Sequence, residues 1–252
     1  MEWFSMRALE RSDQIVGVRN AIAEPPAISF DQGLMLQVKR RQGWAYAATC
    51  DLSPSGLKAL VDAADRLATF SEKRHILPDS VFFEPAIDKR STLAEESWQN
   101  ISLTDRFEQL KTIDQQLGAN ERVIDRKASV WSFAIKQTVR CSVGSDLVQQ
   151  TDFIVPMMYV TATNNNDAET RSLGGHSYAR QGGAEILESI DYRGSAHDLR
   201  EQAIELLFAP QCPSEQMDVL LASDQMVLQI HESIGHPIEL DRILGDERNY
   251  AG

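Results

Sequence analysis

Two periodicities alternate along the chain. Apolar residues three and four apart predict amphipathic helices, and apolar residues two apart predict half-buried strands. Residues 33–38 and 44–49 read as two strands around the polar turn Arg40-Arg41-Gln42-Gly43. A helix follows: Ser53 is placed to cap it, Pro54 suits its first turn, and Leu57, Leu60, Val61, Ala64, Leu67 and Ala68 make one apolar stripe. Residues 71–100, punctuated by Pro78 and Pro85, read as a surface connection. A second helix begins at Ser102 with Asp105 three residues on, buries Phe107, Leu110, Ile113 and Leu117, and ends at Gly118.

Beyond residue 123 the pattern changes. Three long antiparallel strands are expected at 130–142, 146–163 and 170–180, separated by Gly144-Ser145 and by Asn164 with its turn-forming neighbours. A third helix is expected over 195–208, capped by Ser195 with Asp198 at its third position and stopped by Pro210. Residues 217–221 read as a short strand, and Ser223 as the cap of a fourth helix carrying Met226, Val227, Ile230 and Ile234. Helices and strands are partly segregated, so the fold class is α+β: a long antiparallel or mixed sheet with packed helices.

Composition narrows the function. The 252 residues are 42% hydrophobic and 25% charged, as in an ordinary globular protein. A formal net charge of −12 repels phosphate backbones, and no basic cluster exceeds Lys39-Arg40-Arg41, so nucleic acid is not an expected partner. The longest mostly apolar run, 153–166, is too short and too polar to span a bilayer, so a membrane is not expected either. Three cysteines with no paired spacing, and early charges at Glu2, Arg7, Glu10 and Arg11, point to a cytoplasmic protein without a signal peptide.

The candidate chemistry sits on the fourth helix, where His231-Glu232-Ser233-Ile234-Gly235-His236 spells H-E-x-x-x-H. In the H-E-x-x-H metallopeptidase pattern the histidines are four apart, about 40° around an α-helix, and reach one zinc ion. Here they are five apart, about 140° around a regular helix. Gly235 readily leaves helical geometry and Pro237 disfavours it at His236, so the helix is expected to end near Gly235 and return His236 beside His231. Glu232 is then placed to take a proton from water acidified by the metal. The other reading leaves both histidines as ordinary polar residues near a helix end. Glu239 and Asp241, just after the second histidine, could serve as carboxylate ligands to zinc, but are expected rather to be partners that orient the imidazoles, or structural. Cys50, Cys141 and Cys212 are expected to be buried small hydrophobes, His176 to have a surface or turn role, and His75 and His197 to be unrelated to metal. Signatures of serine hydrolases and of nucleotide cradles are missing.

The segment from His231 to Gly252 strongly resembles the active-site segment of the TldD/PmbA family, metallopeptidases also described as modulators of DNA gyrase. Gly43-Trp44-Ala45-Tyr46 and Asp51-Leu52-Ser53 resemble its N-terminal hairpin and helix, and Gly182-Gly183-Ala184-Glu185 its glycine pair before the third helix. The resemblance implies a zinc-dependent peptidase of TldD type, with His231 and His236 as ligands and Glu232 as general base. It implies a peptide substrate and a partner subunit of TldE/PmbA type, or a homodimer. The family's remaining ligand is a cysteine in a C-terminal half, to which nothing here corresponds. Residues 1–215 are therefore expected to form an N-terminal α+β domain, and 216–252 the start of a catalytic region. The alternative is a non-catalytic assembly or binding module in which the histidine pair is idle.

Overall fold

A computed structural model describes residues 2–72, 84–92, 94 and 96–245. His75 and Pro78 lie outside them. The chain opens with β1 (Trp3–Arg19), β2 (Ile22–Ala23), β3 (Ala27–Arg40) and β4 (Gly43–Thr49), followed by α1 (Pro54–Ser71). β5 (Ile87–Thr92), α2 (Leu103–Leu117), β6 (Val123–Cys141), β7 (Asp146–Thr163), β8 (Ala168–Gly174) and β9 (Arg180–Gln181) come next. The last elements are α3 (Glu185–Ser189), α4 (Ser195–Leu206), α5 (Ser223–Ile230) and α6 (Leu240–Leu244). The fold is α+β.

All the described strands belong to one sheet in the order β4-β3-β1-β6-β7-β5, with β2 beside β1 and β8 and β9 beside β7. β1 lies in the middle, antiparallel to both β3 and β6. The outer edge of β7 is shared: β5 pairs with its start, β9 with Phe153 and Ile154, and β8 with its end. β4 pairs only with Leu34–Arg40 of β3, so residues 27–33 lack a neighbour on that side among the described residues.

The registers Val16↔Val130 and Ala128↔Met158 put even-numbered residues of β1, β6 and β7 on one face. There Val18, Ile154, Val160 and Ala162 join them in a core with Leu110, Ile113 and Leu117 of α2 and Ala196, Leu199 and Ala203 of α4. A second cluster packs Leu36 and Val38 of β3 against Leu60, Ala64 and Ala68 of α1. The neighbouring β4 approaches the same helix so closely that a Cβ at Gly43, its first residue, would collide with the Ala68 carbonyl. The α1 stripe is narrower than its sequence suggests, since Val61 and Leu67 are exposed.

Two of the four predicted helix caps are present. Ser53 Oγ accepts the Gly56 N–H at 3.2 Å, and Ser102 Oγ accepts the Asp105 N–H at 3.1 Å. Four other expectations need correction. The 71–100 connection contains β5 and the fully buried Trp98. The third strand of the long trio ends at Gly174, where Gly174 and Gly175 take φ of +105° and +80° and turn the chain away. Ser195 and Ser223 are first helical residues, preceded by Gly194 and Ala222 at the cap positions. Residues 217–221 form no strand; they run irregularly with Leu220 99% exposed, because no neighbouring strand pairs with them.

None of the described helices is long and apolar enough to cross a membrane.

Candidate metal centre

The H-E-x-x-x-H segment is neither a regular helix nor a helix end. After α5 the chain keeps helical dihedrals through Gly235 (φ −56°, ψ −59°) and His236 (φ −63°, ψ −44°). Residues His231–Gly235 form a π turn, in which the His236 N–H donates to the His231 carbonyl. A turn closed between residues five apart holds one residue more than an α-turn, so it stacks position 236 over position 231. The expected break at Gly235 is therefore corrected: the helix widens, and widening delivers the same convergence. Pro237 then starts a short 3-10 turn (His236–Ile238) that leads into α6.

The result is a compact donor set. The two imidazole rings meet edge to face with centroids 4.3 Å apart. Glu232 Oε1 lies 3.8 Å from His231 Nε2, and Glu232 Oε2 lies 4.0 Å from His236 Nε2. One donor atom from each of the three residues falls within 4.8 Å of the others. Atoms bound to one zinc at about 2 Å lie no more than about 4 Å apart, so closure of roughly an ångström would suffice. Two imidazoles and a carboxylate suit zinc and similar divalent ions. The three side chains are solvent-accessible, His231 most (60%) and His236 least (27%).

Glu239 joins this group and Asp241 does not. Glu239 Oε1 is 2.7 Å from His236 Nδ1, whereas the carboxylate of Asp241 accepts the backbone N–H of Arg242 at 2.9 Å, in the first turn of α6. The sequence reading missed Arg242, whose Nη2 lies 3.1 Å from Glu239 Oε2. The signal available for it was the regular spacing 236, 239, 242.

The remaining candidates are elsewhere. His176 packs edge-on against Trp131, and His197 lies beside Asp198 at 3.2 Å. The cysteines are not buried as expected: Cys50 and Cys212 are exposed and Cys141 is half-buried, because Cys50 follows the last residue of β4 and Cys212 lies in irregular chain. Among the described residues the only group of three or more possible metal ligands is His231, Glu232 and His236.

Residues 6–68, which hold the β1–β3–β4 hairpins and most of α1, match the family model of the PmbA/TldA metallopeptidase domain 1. That match covers about a quarter of the chain and places its likeness to the PmbA/TldA metallopeptidases in the N-terminal hairpins and helix. The metalloprotease MJ0996 of Methanocaldococcus jannaschii is 21% identical over 92% of this chain and 50% of its own length. In fold, the chain resembles a protein described as a modulator of DNA gyrase from Thermotoga maritima (TM-score 0.66, 14% identity, 84% of this chain and 46% of that one). It also resembles TldE from Thermococcus kodakarensis (TM-score 0.55, 10% identity, 82% and 44%). The chain thus spans about half the length of the relatives it matches.

Proposed function

We propose that this chain contributes the H-E-x-x-x-H half of a zinc peptidase centre of TldD type, acting on peptides in the cytoplasm. The single observation behind the reading is the π turn, which brings His231, Glu232 and His236 together despite a spacing that a regular helix would splay. His231 and His236 would hold the ion through imidazole nitrogens. When bound, a metal there supplies Lewis acidity, polarising a carbonyl and acidifying water. The Glu232 carboxylate accepts the proton from the attacking water at Oε1 or Oε2 and can pass it to the leaving amine. A catalytic zinc normally has three protein ligands, and two are assigned in this chain; the third would come from outside residues 2–245.

Residues 216–252 would begin the catalytic region, and a TldE/PmbA-type subunit or a second copy would be the partner. The edge of β3 at 27–33, which has no strand neighbour on that side among the described residues, carries exposed Ile28 and Phe30 and offers main-chain groups on which an extended peptide could add as a strand.

The test uses the full-length protein purified without chelator. Glu232→Gln should lower peptide cleavage at least a hundredfold, in the usual range for removing a general base, while zinc content by mass spectrometry stays stoichiometric. His231→Ala should lose both. A wild-type protein without metal would overturn the peptidase reading in favour of the assembly module, and zinc loss in Glu232→Gln would make Glu232 a ligand.

A further inference from the structure

We propose that Glu239 and Arg242 are positioning residues that lock His236 as the Nδ1–H tautomer and so aim its Nε2 lone pair at the metal; this rests on the peptidase reading above. The observation is a relay of three side chains spaced three apart. His236 Nδ1 lies 2.7 Å from Glu239 Oε1, and the other oxygen of Glu239 lies 3.1 Å from Arg242 Nη2. A ring nitrogen at hydrogen-bond distance from a carboxylate, which can only accept, must carry the proton. In a neutral imidazole the other nitrogen is then bare. That nitrogen, Nε2, is the one facing Glu232 at 4.0 Å, inside the donor cluster.

Arg242 gives the relay its rigidity. Its side chain is only 13% exposed, against 42% for Glu239, so the less mobile guanidinium anchors the more exposed carboxylate. The guanidinium donates to one carboxylate oxygen and leaves the other to face Nδ1. The backbone assists. The Glu239 N–H donates to the His236 carbonyl at 3.2 Å, and Glu239 takes the extended cap conformation (φ −60°, ψ 140°) from which α6 begins. Position 239 is thereby held one short turn from the imidazole, and position 242 lies within the helix that follows.

His231 lacks this support. It is 60% exposed, and its nearest carboxylate oxygen in the described set is 3.8 Å away, beyond hydrogen-bond range. The two histidines therefore play unequal parts. His236 is the preset ligand, and His231 is the one that settles when an ion arrives.

Two readouts test this on the full chain. In metal-free protein above the histidine titration range, long-range 1H–15N spectra report which ring nitrogen is protonated. His236 should be the Nδ1–H tautomer in the wild type and shift toward Nε2–H in Glu239→Ala. Glu239→Gln, whose amide oxygen can still accept from Nδ1–H, should largely restore the wild-type tautomer. In zinc titrations by calorimetry, Glu239→Ala should weaken binding about 10–100-fold, the usual cost of losing an outer partner of a metal-bound histidine. Arg242→Leu should weaken it less, and thermal unfolding should show that each variant folds. An Nε2–H tautomer in the wild type, or unchanged tautomer and affinity in Glu239→Ala, would overturn the proposal. If wild-type His236 is Nδ1–H yet zinc does not bind, the peptidase reading fails while the tautomer lock stands.

Discussion

Tyr192 and Asp125 show how single side chains fasten this sheet to its surroundings. Tyr192 is 1% exposed, and its hydroxyl lies 2.7 Å from the Met157 carbonyl and 3.1 Å from the Ser129 carbonyl while accepting the Ser129 N–H at 3.2 Å. It pins the α3–α4 junction to β6 and β7 at once, and burial pushes its phenol pKa upward. Tyr192→Phe keeps the ring and removes the hydroxyl, so it should cost about 1–3 kcal/mol in urea unfolding, the penalty for stranding buried polar groups. A cost near zero would mean that water replaces the hydroxyl. Asp125 works at the surface end of the same strands, accepting from Arg19 at 2.8 and 3.0 Å, from Asn20 at 2.8 Å and from the Tyr159 hydroxyl at 3.2 Å. The Arg19 hydrogen bonds, more than the others, pull its pKa from 3.8 to about 2. Because the folded value is the lower one, the stabilisation is complete above about pH 4 and disappears as pH falls through 2. The gap in unfolding temperature between wild type and Asp125→Asn should therefore shrink steadily from pH 5 to pH 2; a constant gap would refute the assignment.

At the scale of elements, α1, α2 and the β3–β4 hairpin were legible because their signals are local. Ser53 and Ser102 lie one residue before their helices, and each hydroxyl accepts an N–H three positions on. β1 was not legible, because its middle reads Glu10-Arg11-Ser12-Asp13-Gln14. Those polar residues are tolerated there through bonds that sequence spacing does not reveal: Arg11 to Asp13, Ser12 to Gln99, and Gln14 to Arg106. β5 was hidden in the same way, since Ile87-Asp88-Lys89-Arg90-Ser91-Thr92 is mostly exposed and gains its order from main-chain pairing with β7. For the candidate site, the histidine pair could be read from the sequence but its backbone could not. His236 keeps helical dihedrals although Pro237 follows it, so the local preference yields to the i→i+5 hydrogen bond. This reverses one expectation about Gly235. Its dihedrals suit any residue, and a Cβ there would meet nothing closer than the Ile230 carbonyl at 3.8 Å. Gly235→Ala should therefore leave zinc affinity within about twofold, as expected where no strained conformation or steric contact demands glycine; a loss of tenfold or more by calorimetry would show that the turn depends on glycine after all.

For the whole molecule, the decisive feature is the place of β1. β1 is an inner strand of the sheet, and its far neighbour is β6, with Ser5 opposite Cys141. On a ribosome the β1–β3 hairpin is complete once residue 40 has emerged, yet one long edge of β1 waits for about a hundred more residues. At 5–20 residues per second that is about 5–20 s of exposure. Val16 and Val18, fully buried at the end, wait during that time for the α2 and β6 residues that pack against them. Ribosome-stalled chains ending near residue 122 should accordingly be cut by protease within β1, and chains with residues 1–215 exposed should resist. Early resistance would show that the hairpin finds another cover. The nascent chain, more than the finished protein, is where this architecture needs a chaperone, and the interval is set by the distance in sequence between two strands that end up side by side.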